Sequence, residues 1–218
     1  MVRKIVTCQD SRQEVVREGC HCGAAAQYEQ SLKNGLIVLS DTETVPGMHA
    51  WLEREDGIKR LSRFKDRPQS QFIYLFPDFE SMAMLVDFVD VSPRLLAKLP
   101  TMMKTPMTFV FPDHDDENPG TVAVRICDHP FLRPILRSCF PVASTSANAH
   151  GAPTPQTLRD VDPNAREVAD VEVRFPLPST GSPSALVDFS VRPVALRRPG
   201  RVNEAELRAT LQALGLPT

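Results

Sequence analysis

Long apolar runs are missing from this 218-residue chain: none approaches the roughly 20 residues that a membrane-spanning helix requires. The first ten residues hold no apolar stretch of the kind that marks a secretory leader, so the expected compartment is the cytoplasm. An excess of one charge is missing too. The chain has 25 Lys and Arg against 27 Asp and Glu, a formal net charge of -2. That excludes a strongly basic nucleic-acid glove but leaves room for a local basic cavity. Gly (10) and Pro (20) together stay well below the share that marks a disordered chain. Cysteine is sparse and odd in number, at positions 8, 20, 22, 127 and 139, so a secreted disulfide framework is excluded. Cys20-His21-Cys22 sets its thiols too close for the usual zinc spacing, in which longer gaps let the ligands close a tetrahedron without strain. No metal is expected there. Gly-x-Ser-x-Gly, His-Glu-x-x-His, Gly-x-Gly-x-x-Gly and the Walker loop are all absent, which disfavours serine hydrolases, zincins, dinucleotide enzymes and P-loop proteins.

What is present is an ordinary globular composition, 42% apolar and 24% charged, on a chain long enough for one good core. Residues 1–22 are polar and without periodicity, and read as an N-terminal extension to a single domain over residues 23–218. The patterns predict helices over residues 24–34, closed by Gly35, and over residues 51–64. Asp78 is expected to cap a helix reaching Phe88, and Ser92-Pro93 to open another. Further helices are expected from Asp128 to near Cys139 and from Thr154-Pro155 onward. Asn203 with Glu206 resembles a capping box before a last helix over residues 207–214. Strands are expected at residues 36–39, 72–76, 107–111, 121–126, 142–143, 171–175, 185–189 and 194–196. Strands alternate with helices, which predicts an α/β sheet with helices packed on it. The acidic run Asp113-His114-Asp115-Asp116-Glu117 reads as a solvated loop between strands.

Four polar segments fall at the ends of these elements, where open α/β sheets bind ligands. Thr42-Glu43-Thr44-Val45-Pro46-Gly47 sets two hydroxyls and a carboxylate after a buried strand, suited to orienting a small polar substrate; an ordinary Thr-rich turn has the same composition. Lys65 and Arg67 sit near a helix C-terminus, which suits the helix dipole. Pro68 turns the chain out of the helix, so that point charge and planar fork can also converge on carboxylate or phosphate oxygens. Arg125 interrupts an apolar strand. On a strand buried on both faces it requires an anionic partner, whereas on an edge strand it faces solvent. Asp128 reads as a helix cap, and His129 as a structural or exposed imidazole. Ser144-Thr145-Ser146-Ala147-Asn148, ahead of Gly151, offers hydroxyl and backbone donors to a polyphosphate; a turn that caps its own backbone reads the same way.

Taken in order, these segments resemble the YrdC-like family, the threonylcarbamoyl-AMP synthases. Thr42 through Gly47 is similar to its Thr-(Asp/Glu)-Thr-x-(Tyr/Phe)-Gly motif, and Lys65 through Pro68 to Lys-x-Arg-Pro. The resemblance continues in Pro106 through Pro112, Ala123 through Pro130, Ser144 through Gly151, Pro183 through Asp188 and Arg198-Pro199-Gly200. It spans roughly residues 25–202. It implies an open twisted mixed sheet with flanking helices around a deep basic cavity. It implies synthesis of threonylcarbamoyl-AMP and pyrophosphate from ATP, L-threonine and bicarbonate, for modification of adenosine 37 in tRNA. By resemblance, Lys65 and Arg67 are catalytic, and Thr42, Thr44 and Arg125 bind substrate. Ser144, Ser146, Asn148, Ser184 and Arg198 bind the nucleotide, and Mg2+ is carried with ATP rather than held by a dedicated metal site. A tRNA or a tRNA-modifying complex is the implied partner, and the chain is a monomer or homodimer. Its end at Thr218 leads to the expectation that the extra C-terminal domain of longer synthases is missing. Pro46 replaces the motif's aromatic and Gln71-Phe72 replaces a later Lys-Pro. These departures keep two other readings open: a paralogue that binds double-stranded RNA, tRNA or nucleotide without synthesis, and one that adenylates a different carbamoyl substrate.

Overall fold

The computed structural model describes residues 4–8, 23–66, 68, 71–88, 90–113 and 120–218. In chain order the strands are β1 (Lys4–Thr7), β2 (Val38–Ser40), β3 (Gly47–Trp51), β4 (Ile73–Phe76), β5 (Met107–Pro112), β6 (Thr121–Ile126), β7 (Val142–Ser146), β8 (Val171–Arg174), β9 (Ala185–Asp188) and β10 (Ala195–Arg198). The helices are α1 (Gly23–Lys33), α2 (Glu55–Lys65), α3 (Phe79–Met82), α4 (Pro93–Leu96), α5 (Leu99–Met102), α6 (Leu132–Leu136), α7 (Pro163–Val168) and α8 (Glu204–Ala213). Among the described residues the strands make one mixed twisted sheet, ordered β1-β8-β2-β3-β7-β4-β6-β5-β9-β10. The predicted α/β class with an open mixed sheet is the observed one.

Side-chain alternation gives the sheet two different faces. Met48, Ala50, Tyr74, Phe76, Phe109, Val124, Ala143 and Val187 share one face, with Ile58 and Leu61 of α2 and Leu207 and Leu211 of α8 in the same core. Each fully buried Val, Leu, Ile, Met or Phe side chain among them contributes on the order of 2 kcal/mol. On the opposite face Val38, Leu75, Val142 and Val171 pack with Tyr28 and Leu32 of α1 and Ile135 and Leu136 of α6. Registers carry that second face onward. Trp51 opposes Val142, His49 opposes Ser144, and Gly47 opposes Ser146; Ile73 opposes both Ser144 and Ala123, and Leu75 opposes Arg125. Toward Gly47 and Ser146 the same face therefore turns from apolar to polar, and the site lies at that end.

Several boundaries differ from the sequence reading. Residues 51–54 are not helical: Trp51 ends β3, which is buried along nearly its whole length and so lacks the alternation that betrays a half-exposed strand. The helix capped by Asp78 covers only Phe79–Met82, and Val86 instead bridges to Asp113. Asp128 caps nothing; the N-cap of α6 is Phe131, and Asp128 is an exposed partner of Arg133. No helix begins at Thr154. Thr157 and Asp160 cap a 3-10 turn, and Asp162 caps α7. Asn203 Oδ1 accepts from the Ala205 and Glu206 N–H groups, as expected of an N-cap. Residues 4–8 correct the extension reading: β1 pairs in parallel with β8, and Cys8 is buried. Cys20-His21-Cys22 and residues 114–117 lie outside the described residues. No helix among the described residues is long and apolar enough to cross a membrane.

His49 is fully buried at the point where the second face changes character, with Tyr28 Oη 2.6 Å from its Nδ1. Burial, reinforced by Arg125 and His129, pushes its pKa down from 6.5 to about 3. The unfolded imidazole takes up its proton first as pH falls, so this contribution is complete above about pH 6.5 and is lost progressively toward pH 3. Between pH 7 and pH 5, urea unfolding of the wild type is expected to lose about 2 kcal/mol more than unfolding of His49→Leu. Equal losses in the two proteins would refute the buried neutral imidazole.

Candidate functional site

Arg125 organises the site. Its strand β6 lies between β4 and β5, inside the sheet, and the side chain is 4% exposed. The edge-strand alternative is therefore excluded, and the guanidinium requires buried partners. The loop between β2 and β3 supplies them. Arg125 Nη1 donates to Thr44 Oγ1 at 3.0 Å, and Arg125 Nε lies 3.2 Å from Glu43 Oε1. Glu43 Oε2 accepts from the Cys127 thiol at 3.4 Å. Burial and Glu43 push that thiol well above its ordinary value, so it stays protonated and able to donate. Thr42 Oγ1 accepts from the Thr44 N–H, lies 2.9 Å from Thr44 Oγ1 and donates to Val45 O, so Thr42 shapes the loop from within.

A second loop, absent from the sequence reading, locks the first from outside. Ser179 donates to Asp41 through both its N–H and its hydroxyl. Thr180 Oγ1 donates to the Glu43 and Thr44 carbonyls, and the Gly181 N–H donates to Thr44 O at 2.9 Å. Nothing in the spacing of Ser179-Thr180-Gly181 pairs it with a segment some 137 residues earlier. The only signal available is the pairing of a buried Asp with a Ser.

The Ser144–Asn148 segment is not a free turn. Ser144, Thr145 and Ser146 belong to β7, and the chain leaves the strand only at Ala147. Lys65, the last residue of α2, is 3% exposed. Asp66 takes the left-handed conformation that ends the helix (φ 47°). The Lys65 ammonium donates to Ser146 O (3.0 Å), Asn148 O (2.6 Å) and Asn148 Oδ1 (3.0 Å). Asn148 Oδ1 also accepts from the Ser146 hydroxyl, and its amide donates to Ala152 O. Lys65 thus braces the end of β7.

A cavity of about 240 Å³ opens on this face. Thr44, Arg125, Ser144, Ser146, Ser184 and Arg198 line it, together with Gly47 and Gln71. Sequence positions 44 to 198 are brought together there, whereas Thr42, Lys65 and Asn148 stand behind its wall. Arg67 lies outside the described residues. Ser184, 1% exposed, is held by Thr108 Oγ1 at 2.7 Å and accepts from Arg198 Nη2 at 3.1 Å; Arg198 Nε donates to Ser184 O. Burial and neighbouring Arg125 pull Arg198 below its ordinary value, the signature of two cations facing one space. Gly200 makes this approach feasible, because a Cβ there would stand 2.7 Å from the Ala185 nitrogen. A larger cavity, about 600 Å³, is lined by apolar groups such as Phe79, Met107 and Phe109 together with the charged Glu43, Asp78, Lys104, Asp128 and Arg133. The smaller one is the candidate site, because residues from five separate predicted segments, Thr44, Arg125, Ser144 with Ser146, Ser184 and Arg198, converge on it. It can hold an anion between two guanidinium groups and three serines.

Breaking the buried pair has a calculable effect. Arg125→Ala leaves the Glu43 carboxylate, 13% exposed, without its cation and is expected to destabilise the fold by about 3 kcal/mol in urea unfolding. Adding Glu43→Gln should restore part of that loss; strictly additive losses would show that the two groups are not coupled.

Comparison with known proteins supplies the context. Residues 30–200 match the Sua5/YciO/YrdC family model, described as "Telomere recombination". A threonylcarbamoyl-AMP synthase of Haemophilus influenzae is 27% identical over 143 residues, covering 62% of this chain and 78% of that one. The enzyme of the same name from Pseudomonas putida is 28% identical over 192 residues, covering 80% and 96%. A structure of P. abyssi Sua5 superposes with a TM-score of 0.70 at 25% identity, covering 94% of this chain; this chain spans 62% of that protein's length. P. abyssi Sua5 has also been crystallised with L-threonine.

Proposed function

The chain belongs to the Sua5/YciO/YrdC family, and from that premise we propose that it is an L-threonylcarbamoyladenylate synthase acting in tRNA modification. The observation that carries this reading is the convergence of Thr44, Arg125, Ser144, Ser146, Ser184 and Arg198 on one cavity, in a chain whose relatives bear that enzyme's name.

The proposed reaction begins with the threonine amine and bicarbonate, which form a carbamate and release water. A carbamate oxygen then attacks the α-phosphorus of ATP. The bond from that phosphorus to the pyrophosphate oxygen breaks, and pyrophosphate leaves with the electron pair. ATP enters as its Mg2+ complex. Carboxylate, carbamate and phosphates are all anionic, so the work of the protein is to hold negative charges together. Arg125 and Arg198 supply fixed cations. Ser144, Ser146 and Ser184 supply hydroxyl donors. Thr44, oriented by Thr42 and by Arg125, positions the amino acid. Lys65 and Asn148 hold β7 and its serines in place for the reaction, and Arg67 is the second cation of the family motif. In this reading the adenylate serves tRNA adenosine 37 in the cytoplasm, with a tRNA or a tRNA-modifying complex as acceptor.

One observation keeps a second substrate in view. Gln71, at a position where the family motif carries a cation, lines the cavity itself. A different amine or carbamoyl donor is therefore the alternative that the assay must separate.

The test is product formation from ATP with and without L-threonine and bicarbonate, read by mass spectrometry. Threonine-dependent pyrophosphate release with threonylcarbamoyl-AMP is the expected result. ATP binding without that product, or product from another amine, would replace this reading with the alternative. Lys65→Ala and Arg67→Ala are each expected to lower turnover about a hundredfold or more, in chains that circular dichroism shows to be folded. Retained turnover in both would remove them from the reaction.

A further inference from the structure

His49 belongs to none of the motif positions discussed above, yet its place in the sheet sets it directly behind the cavity wall. It stands opposite Ser144 in the β3–β7 register, two residues along β3 from Gly47, and both Ser144 and Gly47 line the cavity. Its ring leans toward Gly47: a Cβ built on that glycine would stand 2.5 Å from His49 Nε2. The imidazole tip thus occupies the space that a side chain at position 47 would take on the cavity wall. Tyr28 fixes the ring from the other end, with Oη 2.6 Å from Nδ1. A phenol gives its hydrogen to an imidazole nitrogen more readily than it takes one, so Tyr28 donates to Nδ1 and the imidazole proton sits on Nε2. Among the described residues that buried Nε2–H has no hydrogen-bond partner. A buried donor left in this state costs roughly 1–3 kcal/mol.

We propose that His49 is a ligand-binding residue of the cavity, its Nε2–H donating to an anionic oxygen, carboxylate or phosphoryl, held beside Arg125. The inference rests on the reading of the cavity as an anion site. It adds a donor from the floor of the sheet to the guanidinium and hydroxyl groups of the rim. The neighbourhood suits a neutral donor. Arg125 disfavours a second cation there, and the same arginine attracts the oxygen to which Nε2–H would donate.

The experiment uses the full chain labelled with 15N-histidine, and three probes: ATP, inorganic pyrophosphate and L-threonine. The Nε2 resonance is expected to shift on saturation with the probe whose oxygen it meets, which separates the phosphoryl from the carboxylate source. In calorimetry, affinity for that probe is expected to fall about tenfold in His49→Leu, the equivalent of one hydrogen bond. Gly47→Ala, which pushes a methyl against Nε2, should produce a similar loss without touching the imidazole chemically. His49→Gln, which keeps a donor, should recover part of the affinity. If the wild type binds a probe but Nε2 does not move and His49→Leu and Gly47→Ala each leave affinity within twofold, this proposal falls while the anion-site reading stands. If the wild type binds none of the three probes, both fall. The wild-type titration decides the matter even where a variant fails to fold.

Discussion

A guanidinium buried in the interior of a sheet is the constraint on which the rest of this site depends. Arg125 cannot reach bulk water from β6, so its charge has to be balanced by what the fold brings to it. That requirement fixes Glu43 and Thr44, and with them the loop from residue 42 to residue 47. The loop is held in turn by Ser179, Thr180 and Gly181, which occupy its own backbone carbonyls and Asp41. The Glu43 contact satisfies the arginine only in part. Nε and Oε1 lie within ion-pair distance, but neither makes a well-directed hydrogen bond. A guanidinium held this way keeps its field directed at the cavity, where Arg198 meets it.

The same sheet face serves as core at one end and as site at the other, and the change is written residue by residue. Along β7 it runs Val142, Ser144, Ser146; along the opposing β3 it runs Trp51, His49, Gly47. The apolar end is covered by α1 and α6. The polar end is left for ligand, and β7 is anchored there by a lysine that reaches through from the last turn of α2. Rigid elements rather than loops therefore carry the serines. This favours precise placement of donors around a charge that changes during reaction.

Much of this was legible in the sequence, for identifiable reasons. β4, β5 and β6 announce themselves because β-branched and aromatic residues cluster between turn residues, and α8 because Asn203 marks its start. β3 is hidden, since Gly47-Met48-His49-Ala50-Trp51 has neither alternation nor β-branching, and Trp51 and Leu52 lend themselves to a helical stripe. The short α3, α4 and α5 are held by tertiary packing that no local pattern encodes. At the site, residue types revealed which segments matter but not which side chains face the ligand. Thr44 and Thr42 are two residues apart and equally plausible, yet only Thr44 lines the cavity. Lys65 reads as a substrate-facing cation, whereas its visible bonds are to carbonyls of the chain. The Ser179-Thr180-Gly181 clamp depends on a contact across most of the sequence, which spacing cannot express.

The composition of the cavity wall also constrains the kind of chemistry it can support. Among the described residues that line it there are guanidinium groups, hydroxyls and an amide but no carboxylate, and the imidazole behind it, His49 beside Gly47, is neutral with its Nε2–H a donor rather than a base. Glu43 is committed to Arg125 and Cys127 and lines the larger cavity instead. Such a wall suits a nucleophile that arrives already charged, as a carbamate does, and needs no proton removed in the step that forms the phosphorus–oxygen bond. It suits poorly a neutral alcohol or amine, which would require a base at that moment. Electrostatic assembly of anions is thus the economical reading of this wall, and selectivity among anions of like charge must come from shape. Gln71 borders that shape, and Pro46 sits between Val45 and Gly47, which also line it, so this chain's departures from its family's pattern fall at the wall itself.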